Sequence, residues 1–455
     1  MSTWKISGFL ILVLTASVLA QQPAGIVVIQ GATVVTGTGR PAIRNAAIVI
    51  ENGKIRDIGA RADVKVPSGA QTIDARNKWI IPGLIDAHVH FSQSGGLYTR
   101  PDIIDLRKWR PYDKEFDWIK QRLLYTFERY VVSGITSVMD CGGPMWNFEM
   151  REIASRTTKA PRVAVAGPLI GTYSPPTTDS KDPDVIAATS PDQARELVRQ
   201  QVDRKPDIIK IWFIVNPGDD FQKESQIVSA AIAEAKSHNL RVAVHATELD
   251  TAKASVRAGA DILVHSVTDR LIDTEFLDMV KSRDIIYMTT FMVEDGYRNV
   301  LGQHVMLSDI EQKLGDPEVI ATWAELAKIP AGEIPGGIPR MPAAPRRPVE
   351  YDNLMLLESA GVRVVGATDA GNIGTLHGPA LHREMELMAV AGMRPSDILV
   401  SVTRTAAAAI GRQNEVGTLE KGKFADLVIL DADPVIDIKN TRKISRVMKG
   451  GEFVF

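Results

Sequence analysis

The sequence predicts an α/β protein, a (β/α)8 TIM-like barrel with a small β-sandwich domain formed from both termini. Three observations predict it. Apolar strand-like runs alternate with amphipathic helical stretches through the middle of the chain. The two ends hold only short strands and turns. Four histidines, His88, His90, His245 and His265, close strands of the middle section, at the ends where barrel enzymes keep their chemistry.

Residues 1–20 read as a secretory signal. Lys5 precedes the apolar run Ile6–Leu19, and Val18 and Ala20 occupy the small-residue positions of a cleavage site. The run is short for a spanning helix, and no other stretch approaches the ~20 apolar residues one needs. The expected address is therefore periplasmic or extracellular, with no stable membrane insertion after cleavage. Residues 21–82 form the first half of the sandwich, with strands at Ile26–Ile29, Ala32–Val35, Ala47–Ile50 and Lys54–Ile58 between turn signals such as Gly37-Thr38-Gly39 and Glu51-Asn52-Gly53. Residues 413–455 form the second half, through Ala425–Leu430 and Ile444–Val454. Neither half completes a sheet alone, and pairing the two buries both.

Between them, residues 83–412 carry the barrel. Its strands are predicted at Leu84–His90, Ile135–Asp140, Val163–Ala166, Ile208–Phe213, Arg241–His245, Ile262–His265, Ile285–Thr290 and Val362–Ala367. Helices are predicted at Trp118–Val132, Ser190–Gln201, Glu224–Ser237, Thr251–Ala258, Leu381–Ala391 and Pro395–Ala409. Apolar strands interleaved with helices imply a parallel sheet covered on both faces. No Gly-x-Gly-x-x-Gly follows the first strand, which disfavours a dinucleotide-binding open sheet. Three connections, Ser92–Asp117, Thr172–Thr189 and Met292–Tyr351, exceed an ordinary turn and leave strand C-terminal ends. They are expected to form a partly ordered lid over the pocket.

Composition excludes some functions. A formal charge of -2 gives no basic field for nucleic acid. With Cys141 alone, no intramolecular disulfide forms. Cys141 reads as a packed cysteine, because nothing in the sequence supplies the base or the lowered thiol pKa that a nucleophile requires.

The chemistry gathers at the strand ends. Side chains alternate along a strand, so His88 and His90 share a face. By itself that pair also suits ordinary packing. Lys210 lies in the apolar run Ile208-Ile209-Lys210-Ile211-Trp212, where an ammonium is costly unless paired or neutralised. Two solutions are open: a carboxylate partner, or carboxylation by CO2 to give a metal-bridging carbamate. His245, His265 and Asp369 close later strands, and nitrogen and oxygen donors together suit Zn2+ or a similar divalent ion.

The motifs Pro82–His90, Ile209-Lys210-Ile211, Val244-His245-Ala246, Val264-His265-Ser266, Gly366–Gly371 and the tail Gly417–Val428 together resemble the amidohydrolase superfamily of metal-dependent hydrolases. Within it, the chain resembles the imidazolonepropionase-like group that includes Xaa-Pro dipeptidases and ochratoxinase-like amidases. The likeness covers essentially the whole mature chain. It implies that His88, His90 and Asp369 hold the more buried of two divalent metals and that His245 and His265 hold the second. Lys210, as its CO2-derived carbamate, bridges them together with a hydroxide. Asp369 is then the catalytic proton acceptor, and the reaction is hydrolysis of an amide or peptide-like C–N bond in a dipeptide or N-acyl amino acid. Many relatives have Glu-His-Gly where this chain has Val264-His265-Ser266, and a Gly-rich run where it has Trp212–Val215. Both departures bear on the substrate.

Two alternatives stand beside that expectation. One is an imidazolonepropionase-like cyclic amide hydrolase with one metal. The other is a non-catalytic exported metal- or ligand-binding protein. Tyr173, His377, Tyr297 and Arg298 fall in or beside mouth loops and are candidate substrate contacts, an Arg fork being suited to a carboxylate. His382 is expected to make a structural hydrogen bond, and His238 and His304 to lie on the surface. Expected partners are a small amide or peptide, no nucleic acid, and at most further copies of the chain as a homo-oligomer.

Overall fold

Short β-forming segments broken by tight turns open the described chain. A computed structural model describes residues 25–173, 175, 181–341 and 347–455; the segment 1–20 read as a signal lies outside the described residues. Strands β1 (Val27–Gln30), β2 (Thr33–Val34), β3 (Ala46–Glu51), β4 (Lys54–Ala60), β5 (Gln71–Asp74) and β6 (Trp79–Pro82) come first. β3 and β4 form a hairpin whose turn residues Asn52 and Gly53 both have positive φ, the reason an Asn-Gly pair stands there. One sheet has the order β4-β3-β1-β5.

The middle of the chain begins with β7 (Leu84–Val89), β8 (Ile135–Asp140) and β9 (Arg162–Val165), three parallel strands. Next come β10 (Leu169–Gly171), β11 (Val185–Ala187), β12 (Ile209–Trp212), β13 (Val242–His245), β14 (Ile262–Val264), β15 (Ile286–Thr289) and β16 (Arg363–Gly366). These seven form a parallel sheet in the order β11-β10-β12-β13-β14-β15-β16. Backbone hydrogen bonds stitch the two sheets at both seams: Asp369 N to His88 O and His90 N to Ala370 O at 2.8 Å, and Asp207 N to Val165 O at 2.9 Å. All eight predicted strands are present, with boundaries within about two residues, and β10 and β11 are additional. Near-continuous burial along β7, β8 and β15 shows why these runs are apolar throughout.

The helices are α1 (Tyr112–Val132), α2 (Asn147–Ser155), α3 (Pro191–Val202), α4 (Phe221–Ser237), α5 (Leu249–Ala258), α6 (Thr274–Ser282), α7 (Met292–Leu301), α8 (Asp309–Leu314), α9 (Pro317–Trp323), α10 (Val349–Ser359), α11 (Ala380–Ala391), α12 (Pro395–Val400) and α13 (Ala406–Ala409). Local chemistry sets many of their ends. Ser190 and Asp220 accept backbone N–H groups at the starts of α3 and α4, and Gly259 at φ 105° ends α5. The single helix expected over Pro395–Ala409 is interrupted by a π-turn at Ser401–Thr405, where Thr403 donates its hydroxyl to Leu399 O.

Strands β17 (Leu427–Leu430), β18 (Ile444–Lys449) and β19 (Glu452–Phe453) complete a second small sheet, β19-β18-β17-β6-β2. β17 runs antiparallel to β6, so both ends of the chain share one sheet. Ile29, Ile48 and Ile50 from the first small sheet pack against Ile80, Leu427 and Met448 from the second. Among the described residues no helix is long and apolar enough to cross a membrane.

One long connection has more regular structure than a loop: among its described residues, Met292–Tyr351 holds α7, α8 and α9 and begins α10. Tyr297, Val300 and Leu301 of α7 and Trp323 of α9 pack on Leu97, Tyr98, Ile104 and Leu106 from the connection after β7, giving a separate apolar core. The result is a folded cap. Its backbone approaches the segment after β16 closely: a Cβ on Gly374, at φ +84°, would fall 2.4 Å from Gly296 O. Only glycine fits there.

Candidate metal centre

Parallel strands ending at one level bring their last side chains together, and here those side chains are imidazoles. His88 is fully buried, and its Nε2 lies 3.2 Å from His90 Nε2 and 3.4 Å from Asp369 Oδ1. His90 Nε2 lies 3.1 Å from Asp369 Oδ1. One ligand atom from each of these three residues falls within 4.8 Å of the others. The ring of His265 is 5.0 Å from that of His88, and the ring of His245 is 4.4 Å from that of His265. Lys210 Nζ, at the end of a 1% exposed side chain, is 3.3 Å from His88 Nε2. The six residues implied as ligands thus form one contiguous group.

The fit to a cation can be read from protons. His90 Nδ1 is 2.5 Å from Gly142 O, a carbonyl that only accepts, so Nδ1 carries a hydrogen and Nε2 is the nitrogen turned to the group. That nitrogen and a carboxylate oxygen face each other across 3.1 Å. Asp369 Oδ1 and His88 Nδ1 are buried without a hydrogen-bond partner. Two imidazoles and a carboxylate converging on one point form a donor set that suits a divalent metal. Burial holds His88 and His245 well below the usual histidine range and His265 at about 3, which keeps these three rings neutral as ligation requires; at His90 burial is outweighed by Asp369, which raises it and leaves a proton for a metal to displace. Burial pushes the Asp369 carboxyl up, but His88 and His90 outweigh it and hold it well below the carboxylate range.

The supporting shell is explicit. Asp140 accepts from Phe91 N and Gly142 N, each at 2.9 Å, and from Asn147 Nδ2 at 2.8 Å, so it fixes the carbonyl that orients His90. Thr290 Oγ1 lies 2.7 Å from His265 Nδ1. His265 and Asp369 both sit at positive φ, 72° and 56°, conformations that non-glycine residues adopt at a cost.

Above the group is a cavity of about 410 Å³, with His90, Lys210, His245, His265 and Asp369 on its floor. Arg100, Asp102, Trp212, Tyr297 and Asn372 stand in its walls. Of the proposed substrate contacts, Tyr297 lines this cavity. Tyr173 is not part of the lining; its ring lies 6.3 Å from that of Trp212, which is. Arg298 faces Glu294 and Asp295 at 3.0 and 3.1 Å and does not line the cavity. His377 is a correction: its Nδ1 meets Tyr130 Oη and its Nε2 donates to Gln93 O, both at 2.7 Å, and its ring stacks on Phe91. Both nitrogens are spent in packing, because the chain after Asp369 turns down into the core.

His382 bonds Thr441 Oγ1 and Ser133 O, a structural role as expected, and His238 and His304 are exposed. Burial pushes the Cys141 thiol up to about 12, and its Sγ donates to Ala87 O. Sequence reasoning missed Arg100, Asp102, Asn372 and Asp140. Two carried a signal: Asp140 closes the predicted strand Ile135–Asp140, and Asn372 follows the Gly366–Gly371 motif.

Residues 79–454 match the Amidohydrolase family. The chain is 25% identical over 418 residues to an imidazolonepropionase of Caldanaerobacter subterraneus subsp. tengcongensis, covering 86% of this chain and 85% of that protein. The structure of a Xaa-Pro dipeptidase with bound methionine superposes with a TM-score of 0.70 at 22% identity, covering 94% of this chain and 99% of the other. The ochratoxinase of A. niger superposes with a TM-score of 0.68 at 21% identity, covering 95% and 96%. With a family match over most of its length and a buried His-His-Asp group at its strand ends, the chain belongs to the amidohydrolase family and is a metal-dependent hydrolase of carbon–nitrogen bonds.

Proposed function

We propose that the substrate is a small amide, with dipeptides and N-acyl amino acids the first to try, cut at a centre of two divalent metals, zinc being the first candidate. The observation that carries this reading is Lys210. It is buried, and among the described residues no carboxylate lies within ion-pair distance of its Nζ. A lysine kept for a salt bridge would have one. Burial depresses its pKa and exposes the amine lone pair. That lone pair can add to CO2 with loss of one proton, giving a carbamate whose two oxygens serve two metals.

His88, His90 and Asp369 would hold one ion and His245 and His265 the other, with Lys210 between them. When bound, such ions lower the pKa of water from 15.7 toward ~7 and polarise the scissile carbonyl. Asp369, on the cavity floor, takes the proton of the attacking water and delivers it to the leaving nitrogen. A cavity of about 410 Å³ suits a dipeptide-sized molecule. Part of the same proposal is that the two stitched parallel sheets make one closed barrel over residues 83–412, with the sandwich halves at 21–82 and 413–455 and export directed by residues 1–20.

Metal analysis of protein prepared with bicarbonate tests the reading. Two ions per chain are expected, falling to one or fewer in Lys210→Ala. One ion in the parent protein with no change in the variant would overturn the bridging lysine and favour a single-metal cyclic amide hydrolase.

A further inference from the structure

We propose that Arg100 is a positioning residue for Asp369 and acts through Asn372. The inference rests on the reading of Asp369 as the proton acceptor. Arg100 enters the cavity wall on the connection after β7, with its side chain only 18% exposed. Its Nε and Nη2 bind Asp102 Oδ1 and Oδ2 at 2.8 and 2.5 Å, which neutralises the buried charge. Its Nη1 donates to Tyr297 Oη at 3.1 Å and to Asn372 Oδ1. Tyr297 also donates to Asn372 Oδ1, at 2.6 Å. With its oxygen committed to a cation and a hydroxyl, the Asn372 amide must turn its Nδ2 the other way, and Nδ2 donates to Asp369 O at 2.9 Å. The chain of contacts therefore ends on the backbone of the residue that sits at φ 56°.

That ending gives the network its meaning. A left-handed aspartate persists only where its surroundings hold it, and here the side chain must stay 3.1 Å from His90 Nε2. Loss of the Asn372 side-chain bond leaves the carbonyl of Asp369 with only the longer 3.4 Å contact from Asn372 N and lets its carboxylate drift. Arg100 is poorly suited to gripping substrate itself, because its Nε edge is given to Asp102 and its Nη1 to Tyr297 and Asn372. A lysine has no planar fork to serve all three partners.

The test compares Arg100→Ala, Arg100→Lys, Asn372→Ala and the double alanine variant, each loaded with metal and assayed on an amide that the parent protein cuts. Positioning predicts a fall in kcat of about a hundredfold with KM held within about threefold, since small misplacement of a reacting group costs that much. Arg100→Lys should not recover it, added guanidinium should partly restore Arg100→Ala, and the double variant should be no worse than the poorer single one. In metal-free protein, hydrogen exchange at the amides of Gly371 to Thr375 should quicken. A raised KM with intact kcat would make Arg100 a substrate clamp and overturn the proposal. Unchanged kcat and unchanged exchange would also overturn it. If Arg100→Ala fails to fold, Asn372→Ala decides, because it keeps the Arg100–Asp102 pair. Asp369→Asn separates the two ideas: turnover retained there sinks the role of Asp369, whereas turnover lost there but kept in Asn372→Ala sinks only the link to Arg100.

Discussion

The ring of ligands on the cavity floor and the cap above it satisfy their polar groups in opposite ways. In the ring, His88 Nδ1 and Asp369 Oδ1 are buried with no hydrogen-bond partner, and two imidazoles crowd a carboxylate. In the cap, Arg100, Asp102 and Tyr297 answer one another and Asn372 of the segment after β16 bond for bond. The ring is built to receive a charge from outside, and the cap is built to hold still. Polar groups left open at a cost mark where chemistry happens, and closed networks mark what keeps the geometry.

Asp369→Asn tests the ring half of this comparison most severely. The amide keeps the size of the side chain and can still bind weakly, but it cannot take a proton. Turnover should fall by about 10² to 10⁴ while the circular dichroism spectrum and the position of the thermal transition stay close to the parent. Retained turnover would remove the ring's only carboxylate from the chemistry.

Gly374→Ala strikes the cap instead. The added methyl would meet Gly296 O at 2.4 Å and Gly296 Cα at 2.7 Å, both backbone atoms that cannot rotate away, at a φ of +84°. Overpacking of this kind costs about 1–3 kcal/mol. The thermal midpoint should drop and turnover should weaken, while metal content stays at the parent value. Loss of metal together with stability would show that ring and cap are one unit.

The two halves were also unequally legible in the sequence. His88, His90, His245, His265 and Asp369 stand at or just past the ends of apolar runs, Lys210 is the one charge inside such a run, and the parallel register of the strands does the rest. Strand period and end position are local properties, so the ligand group could be anticipated. The cap could not. Arg100 meets Asn372 across 272 residues of chain, and its neighbours Asp102 and Asp105 read as an ordinary polar loop. The same holds for α2, α6 and α8, whose segments of nine residues or fewer bury only a few side chains each and are too short to fix a period. His377 was misplaced for the complementary reason: its position after Asp369 suggested the mouth, but Gly378 turns the chain inward against Arg129 O, where only the folded core decides.

A pH-dependent effect lies on the seam between the halves. Glu384 of α11 is fully buried, and it accepts from Thr289 Oγ1 at 2.7 Å and from Met292 N at 2.9 Å. It thereby joins the end of β15, next to the His265 partner Thr290, to the first residue of α7 in the cap. Burial pushes its carboxyl up to about 8 from the ordinary 4.5. Between those values the folded protein holds the proton more tightly than the unfolded chain, so this group's contribution to stability is full below about 4.5 and is lost as pH rises through about 8. Glu384→Gln mimics the protonated side chain at every pH, since its oxygen can accept from Met292 N and its amide can donate to Thr289 Oγ1. The variant should therefore match the parent at pH 5 and gain on it steadily toward pH 8, as read from thermal midpoints of both proteins across that range. A gap that stays constant from pH 5 to 8 would mean that Glu384 keeps one charge state throughout, and that the seam between ring and cap is insensitive to protons.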